Sequence, residues 1–149
     1  MDNENDMPGT LKTLLDLLDL ETLEADLFRG QAPKEDRQRV FGGHVIGQAL
    51  VAAARTSEGR RPHSLHAYFL RPGDPKVPII YDVDCIRDGR SFTTRNVVAR
   101  QHGRPIYNMS VSLMVDEKGL EHQISMPDVP DPDDLPEERE RRAALLHRI

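Results

Sequence analysis

The chain has 149 residues, of which 38% are hydrophobic and 30% are charged, and its formal net charge is −5. This composition is typical of one globular domain without a membrane span, and no basic stripe is present, so we expect no nucleic-acid partner. A single cysteine and an acidic start without the pattern of a signal peptide favour a cytoplasmic protein.

The first predicted elements are a helix and a short strand. Residues 1–9 are predicted to be disordered. Between Leu11 and Leu18, four leucines fall at positions i, i+3, i+4 and i+7, which predicts an amphipathic helix. A short strand is predicted over Ala25–Arg29.

The most informative segment is His44–Ala54, whose sequence HVIGQALVAAA has almost no polar face. A helix that is apolar nearly all round must be buried on every side, so we predict a sheet wrapped around it. Gln48 is then a buried amide that needs hydrogen-bond partners. Gly47 is explained by close packing of the helix on the sheet.

Strand signals follow this helix at regular spacing. The predicted strands cover His63–Leu70, Val77–Ile86, Ser91–Gln101 and Tyr107–Val115. Asp88-Gly89 between two of them is a hairpin signal, and the last strand alternates apolar and polar residues, as half-buried antiparallel strands do. Cys85 is predicted to be a buried small hydrophobe. The predicted fold class is α+β, with an antiparallel β-sheet around a long central α-helix.

The composition changes after Met126. Residues 116–149 hold ten Asp and Glu against five Lys and Arg, and so carry the whole net charge. Residues 127–140 are predicted to be an acidic, proline-rich linker. Residues 141–149 are predicted to start a further helix, and a packed terminal helix is the alternative. The compact domain then covers residues 10–126.

Gly42, Gly43 and His44 are the candidate substrate-binding residues, because they stand where the central helix begins. A helix N-terminus exposes unpaired amide N–H groups, and glycine lets a ligand approach them closely. A thioester carbonyl placed there would have its developing oxyanion stabilised. The alternative is that the two glycines only turn the chain into the helix.

Other catalytic groups are hard to find in the residues alone. The predicted central helix contains no Asp or Glu, and Asp82 and Asp84 are predicted to face solvent. His63 and His66 are three residues apart on a strand, so we predict that they point to opposite faces and share no metal ion. We therefore expect no metal site.

Five blocks of the sequence resemble the N-terminal half of the type II acyl-CoA thioesterases, a double-hotdog family that cleaves medium- and long-chain acyl-CoA. The blocks are LFRGQ (Leu27–Gln31), VFGGHVIGQAL (Val40–Leu50), HSLHAYFLRPGD (His63–Asp74), PIIYDVDCIRDGRSF (Pro78–Phe92) and EHQISMPDVP (Glu121–Pro130). The resemblance runs from about Leu11 to Pro136. It implies a hotdog fold over residues 10–126, with a second hotdog after a proline-rich linker.

The same resemblance implies how the site is divided. In the family, the catalytic Asp, Ser or Thr, and Gln lie in the second hotdog, and none of these positions exists in this chain. His63 belongs to a family block and is the one titratable residue here that we would test for catalysis. His44 stands where glutamine is more usual. The resemblance implies no cofactor, since coenzyme A is part of the acyl-CoA substrate.

The resemblance thus implies an acyl-CoA thioesterase of fatty-acid metabolism, with this chain as its first half. The alternative is a non-catalytic hotdog module for acyl-CoA binding or dimerisation. A hotdog dehydratase would need an acid and a histidine on one strand–helix unit, and no such pair is visible. An isolated hotdog exposes a sheet edge, so we expect a homo-oligomer.

Overall fold

The computed structural model describes residues 9–32 and 38–139. The helices and strands in chain order are α1 (Gly9–Leu18), β1 (Glu21–Glu24), β2 (Leu27–Gly30), α2 (Gly42–Arg55), β3 (Arg61–Phe69), β4 (Ile79–Asp88), β5 (Phe92–Gln101) and β6 (Arg104–Met114). The chain forms two compact units, Met1–Glu117 and Lys118–Ile149. The predicted helix over residues 141–149 lies outside the described residues. The disorder predicted for residues 1–9 also falls outside them, except at Gly9, and Gly9 is the first residue of α1.

Six strands form one antiparallel sheet in the order β1-β2-β4-β5-β6-β3. The hairpin predicted at Asp88-Gly89 joins β4 to β5. His102 and Gly103, both with positive φ, form the turn between β5 and β6. The strand predicted over Ala25–Arg29 corresponds to β2, whereas β1 was not predicted.

The inner face of the sheet packs on one face of α2 and forms the hydrophobic core. Strand β6 shows the predicted alternation, with exposed Asn108 and Ser110 between buried neighbours. The buried residues of β6 include Tyr107, Met109, Val111 and Leu113. On α2 they are Val45, Gln48, Ala49, Ala52 and Ala53. The predicted α+β fold, with an antiparallel sheet around a central helix, is confirmed.

The prediction that the central helix is buried on every side is wrong. The flank of α2 that faces away from the sheet is only partly buried, and its apolar residues are Ile46, Leu50, Val51 and Ala54. One sheet covers a helix from one side, and α1 shields part of the rest. A Cβ at Gly47 would lie 3.1 Å from Leu18 Cδ2, so the close neighbour of this glycine is α1 and not the sheet.

Gln48 is fully buried, and its side-chain amide joins α2 to three other elements. Its Nε2 donates to the carbonyl oxygens of Leu17 in α1, at 2.6 Å, and of Gln31 after β2, at 3.0 Å. Its Oε1 accepts a hydrogen bond from the Tyr81 hydroxyl in β4 at 2.8 Å. Gly30 leaves room for this amide, because a Cβ there would overlap it. The predicted need of Gln48 for partners is confirmed.

The opposite end of α2 is held by the buried guanidinium of Arg95 in β5. Its Nε donates to Thr56 Oγ1 at 2.8 Å, and its Nη2 donates to the Thr56 carbonyl at 2.9 Å. A cation at this position complements the negative end of the helix dipole. Nη2 also donates to Asp88 Oδ1 at 2.7 Å, and this hydrogen bond lowers the pKa of Asp88.

A register shift in β4 changes which side chains face solvent. Asp82 and Asp84 are exposed, as predicted, and Tyr81 beside them is buried. The pairing with β5 is irregular between Asp84 and Arg87, and Cys85 is exposed. The prediction that Cys85 is buried is wrong, because the alternation of faces does not continue through this irregularity.

The second unit is described as far as Arg139. It has no regular structure over residues 118–131, and a short 3-10 helix follows at Pro132–Asp134. This helix lies within the acidic, proline-rich segment predicted to be a linker. The first unit ends at Glu117, which is earlier than the domain boundary expected from composition.

We predict that Gln48→Leu lowers the free energy of unfolding by about 3 kcal/mol, because it leaves buried polar groups on α1 and β4 without partners. Tyr81→Phe removes only one of these hydrogen bonds and should cost about 1 kcal/mol. Urea unfolding followed by circular dichroism measures both values. Equal stability of Gln48→Leu and the parent chain would contradict this role.

Candidate functional site

A cavity of about 710 Å³ opens where α2 begins. Three segments line it: residues 38–42 together with Val45, residues 69–73, and the pair Ile106 and Tyr107. The first leads into α2, the second follows β3, and the third lies near the start of β6. The cavity therefore lies where the start of the helix meets one end of the sheet.

Backbone hydrogen bonds hold two of these segments in place. The Val40 N–H donates to the Gly73 carbonyl at 3.0 Å. The Ile106 carbonyl accepts from the N–H groups of Leu70 and Arg71 at 2.8 Å and 3.1 Å. The loop after β3 is thus tied on one side to the entry of α2 and on the other side to β6.

The buried side chain of Gln101 also holds the loop after β3 in place through hydrogen bonds to its backbone. Its Nε2 donates to the carbonyls of Asp74 and Val77 at 2.9 Å and 2.6 Å, and its Oε1 accepts from the Asp74 N–H at 2.8 Å. The Asp74 carboxylate accepts from the Lys76 N–H and lies 3.2 Å from His102 Nε2. These two hydrogen bonds, that from Lys76 first, lower the pKa of Asp74, so it stays anionic.

The glycine pair lies under two phenyl rings. A Cβ at Gly42 would lie 2.9 Å from Phe69 Cζ, and a Cβ at Gly43 would lie 2.5 Å from Phe41 Cε1. Both rings are more than half exposed. Phe41 is the N-cap residue of α2 and makes no side-chain cap, and neither glycine N–H donates to an acceptor among the described residues. Two amide donors without an acceptor in the described part of the chain therefore belong to residues that lie against exposed phenyl rings.

The mouth of the cavity is positively charged. Arg39 and Arg71 line it, and no Asp or Glu does so among the residues that the structure describes. A smaller cleft of about 310 Å³ adjoins it and shares Arg71. That cleft adds Arg104 and His102, with Asp74 as the acid beside them. This arrangement favours a ligand that is anionic at the mouth.

Tyr107 forms part of the cavity wall and is fully buried. Its ring packs on Phe69, with 5.1 Å between the ring centroids. Its hydroxyl makes no hydrogen bond within the described part of the chain. Burial raises its pKa to about 12, so the hydroxyl keeps its proton.

Of the predicted substrate-binding residues, only Gly42 lines the cavity. Gly43 is the next residue of the helix and lies against Phe41. His44 is outside the cavity wall, and its Nε2 lies 3.1 Å from the Gln31 carbonyl, which Gln48 also contacts. His44 thus helps to tie α2 to the end of β2.

His63, the predicted catalytic candidate, is also outside the cavity wall. Its Nε2 lies 2.8 Å from Ser112 Oγ on the outer face of the sheet. The pairing of β3 with β6 is irregular next to His63, and His66 pairs with Ser110 on the same outer face. The prediction that the two histidines face opposite sides is wrong, because this irregularity reverses the alternation.

No group of three or more His, Cys, Asp or Glu side chains within residues 9–32 and 38–139 is placed to hold a metal ion. In the same residues, no helix has both the length and the apolar character to cross a bilayer.

Most residues of the cavity wall were not predicted as site residues, among them Arg39, Phe69, Arg71 and Tyr107. Phe69 and Tyr107 fell within predicted strands, and neither was assigned a chemical role. In the structure, the chain bends at Arg71, after the end of β3. That this bend meets the start of α2 depends on the crossing from β3 to β4, which no local pattern shows.

Comparison with known proteins gives one consistent family. Residues 32–114 match the family model described as the acyl-CoA thioesterase N-terminal domain. The chain is 47% identical over 137 residues to acyl-coenzyme A thioesterase 8 of Homo sapiens, and the matched region covers 89% of this chain and 43% of that protein. It is 46% identical over 133 residues to acyl-CoA thioesterase 2 of Haemophilus influenzae, and this match covers 89% of this chain and 46% of that protein.

Solved structures agree with this result. A tesB protein of Mycobacterium avium subs paratuberculosis matches with a TM-score of 0.77 and 39% identity, covering 83% of this chain and 49% of that one. A protein of Alicyclobacillus acidocaldarius described as having a hot dog fold matches with a TM-score of 0.67 and 26% identity, covering 83% and 47%. The chain spans less than half the length of the curated relatives cited here. The chain belongs to the acyl-CoA thioesterase family and has the hotdog fold of its N-terminal domain.

Proposed function

We propose that this chain is the first half of an acyl-CoA thioesterase that hydrolyses medium- or long-chain acyl-CoA to a free fatty acid and CoA. The observation that carries the proposal is the cavity at the start of α2, which is lined by arginines, apolar side chains and Gly42, whose N–H has no acceptor among the described residues. Relatives named as acyl-CoA thioesterases support the same reaction.

The cavity suits each part of such a substrate. Acyl-CoA is an amphiphile with phosphates at one end, an alkyl chain at the other and a thioester between them. Arg39 and Arg71 provide charge and hydrogen bonds for phosphates. Val45 and Ile106 provide apolar surface for the alkyl chain of the substrate. The proposal needs no metal and no cofactor beyond the CoA of the substrate.

The start of α2 supplies the electrostatic part of the mechanism. The N–H of Gly42 and the positive end of the helix dipole polarise the thioester carbonyl and stabilise the tetrahedral oxyanion. Hydrolysis also requires a water molecule and a group that takes its proton. Since no described residue of the cavity wall is Asp or Glu, we propose that a second hotdog domain supplies this carboxylate.

The second candidate function is a non-catalytic hotdog module that binds acyl-CoA or dimerises. The same lack of an acid in the described cavity wall favours it for the chain on its own. The two candidates predict the same binding and differ in turnover, so they are separated by activity once a second hotdog is present.

The compartment and pathway remain predictions. Release of a fatty acid and CoA would belong to fatty-acid metabolism. A cytoplasmic location is consistent with the exposed free thiol of Cys85, because a reducing compartment keeps such a thiol unpaired. Subcellular fractionation of the source cells tests this location.

We predict that Arg71→Gln weakens the binding of CoA about tenfold, because it removes a charge-assisted hydrogen bond to phosphate. The loss should shrink as salt is added. Arg61→Gln is the matched control, since Arg61 lies at the opposite end of β3 and pairs with Asp116 on the surface. Isothermal titration calorimetry measures both. Equal affinities of the two variants would contradict the proposed phosphate contact.

We predict that the isolated chain releases no CoA above background from acyl-CoA of several chain lengths, because no Asp or Glu lines the described part of its cavity wall. Fusion to the C-terminal half of Haemophilus influenzae acyl-CoA thioesterase 2 should restore turnover. Free CoA is measured with a thiol reagent. Turnover by the isolated chain would show that it supplies its own base, and a folded but inactive fusion would favour the non-catalytic module.

Among the described residues, β3 is an edge strand that pairs only with β6. It is the last strand of the sheet, and nearly all its residues are exposed. Leu65 and Phe69 pair with the inward-facing Val111 and Tyr107 of β6, yet they are 43% and 56% exposed. We propose that a second hotdog pairs with this edge and covers these side chains. In the homodimer that we propose for the isolated chain, a second copy takes this position.

We predict that the isolated chain sediments as a dimer and that Leu65→Arg shifts it to monomer, because a charge at the edge opposes strand pairing. Ile86→Arg is the control, since Ile86 is an exposed apolar residue on β4. Both variants should keep their circular dichroism spectra. A folded monomeric parent chain at high concentration would count against this interface.

A further inference from the structure

Two tyrosines of the core differ in the hydrogen bonding of their hydroxyl groups. Tyr81 and Tyr107 are both fully buried. The Tyr81 hydroxyl donates to Gln48 Oε1, whereas the Tyr107 hydroxyl has no hydrogen-bond partner among the described residues. A buried hydroxyl without a partner destabilises a fold, and phenylalanine would fill the same space without this cost. The Tyr107 hydroxyl therefore calls for a partner that the described residues do not provide.

The position of Tyr107 shows where such a partner would come from. The residue lies in the cavity wall with Gly42 and Phe69. The Phe69 ring packs on Tyr107 on one side and lies against Gly42 on the other. One ring thus contacts both Tyr107 and Gly42, the two residues of the cavity wall whose donors have no acceptor among the described residues. Phe69 is 56% exposed, so it has space to turn outward.

We propose that the Tyr107 hydroxyl binds the thioester carbonyl oxygen of the substrate, together with the Gly42 N–H, when Phe69 turns away from both. The proposal rests on the proposed function and assigns Tyr107 as a second donor to the carbonyl. A carbonyl oxygen has two lone pairs and accepts two hydrogen bonds, so both donors can be used at once.

The state of the hydroxyl fits this role. Burial raises the pKa of Tyr107 to about 12, which keeps it a neutral donor throughout the physiological range. A neutral donor strengthens its hydrogen bond as negative charge develops on the carbonyl oxygen, in surroundings from which water is excluded. The group therefore acts on the same atom as the helix dipole.

The test uses two hydrolysis-resistant probes with the same long alkyl chain. One is the ketone analogue of acyl-CoA in which a methylene replaces the sulfur, and the other is an S-alkyl-CoA thioether without a carbonyl. We expect Tyr107→Phe to bind the ketone about tenfold more weakly than the parent chain, since one hydrogen bond is lost. The thioether should bind both proteins equally.

Tyr81→Phe is the matched control, because it also removes one buried tyrosine hydroxyl. We expect it to lower the melting temperature and to leave the preference for the ketone over the thioether unchanged. Tyr107→Phe should melt at the same or a higher temperature, because the hydroxyl has no hydrogen-bond partner in the part of the chain that the structure describes. A merely structural role for Tyr107 does not produce this combination of retained stability and lost ketone binding.

Three results would overturn the inference. Parent-like ketone binding by Tyr107→Phe would show that the hydroxyl does not contact the carbonyl. An equal loss with both probes would place its contact elsewhere on the ligand. Failure of the folded parent chain to bind either probe would overturn the proposed function itself, which distinguishes that failure from the first two.

Discussion

The buried amide of Gln48 is the interaction on which the rest of the structure depends. It binds the end of α1, the residue after β2 and the Tyr81 hydroxyl of β4, so it fixes α2 over the sheet. A buried amide with satisfied donors and acceptor has one favourable arrangement, whereas the apolar contacts of alanines permit sliding. Arg95 performs the corresponding task at the other end of the helix. The start of α2 is therefore held at the end of the sheet where the cavity forms.

A second constraint is that one sheet covers a helix from one side only. The half-buried flank of α2 and the exposed inner side chains of β3, Leu65 and Phe69, are consequences of this geometry. Both become explicable if another hotdog lies beside the first. In the proposed mechanism, this chain supplies the electrostatic donors and the second hotdog supplies the base.

Much of the fold was predictable because it depends on local patterns. The period of the apolar residues predicted the central helix and the strands, and Asp88-Gly89 predicted the hairpin. The predictions failed where the pattern was interrupted, at Cys85 and His63, because an irregular register changes the facing of a side chain without changing its neighbours in sequence. Of the residues predicted to bind substrate, only Gly42 lines the cavity, and its position follows from the start of the helix.

The amino-acid sequence by itself determined the helices, the strands other than β1, their order and the glycines that begin α2, because each follows from periodicity or from the steric limits of a few neighbouring residues. Only the tertiary structure decided that Arg71, Phe69 and Tyr107 meet Gly42 around one cavity. These residues lie far apart in sequence, and their meeting depends on how strands pair and cross. That pairing is a property of the whole sheet, so no short stretch of the chain contains it.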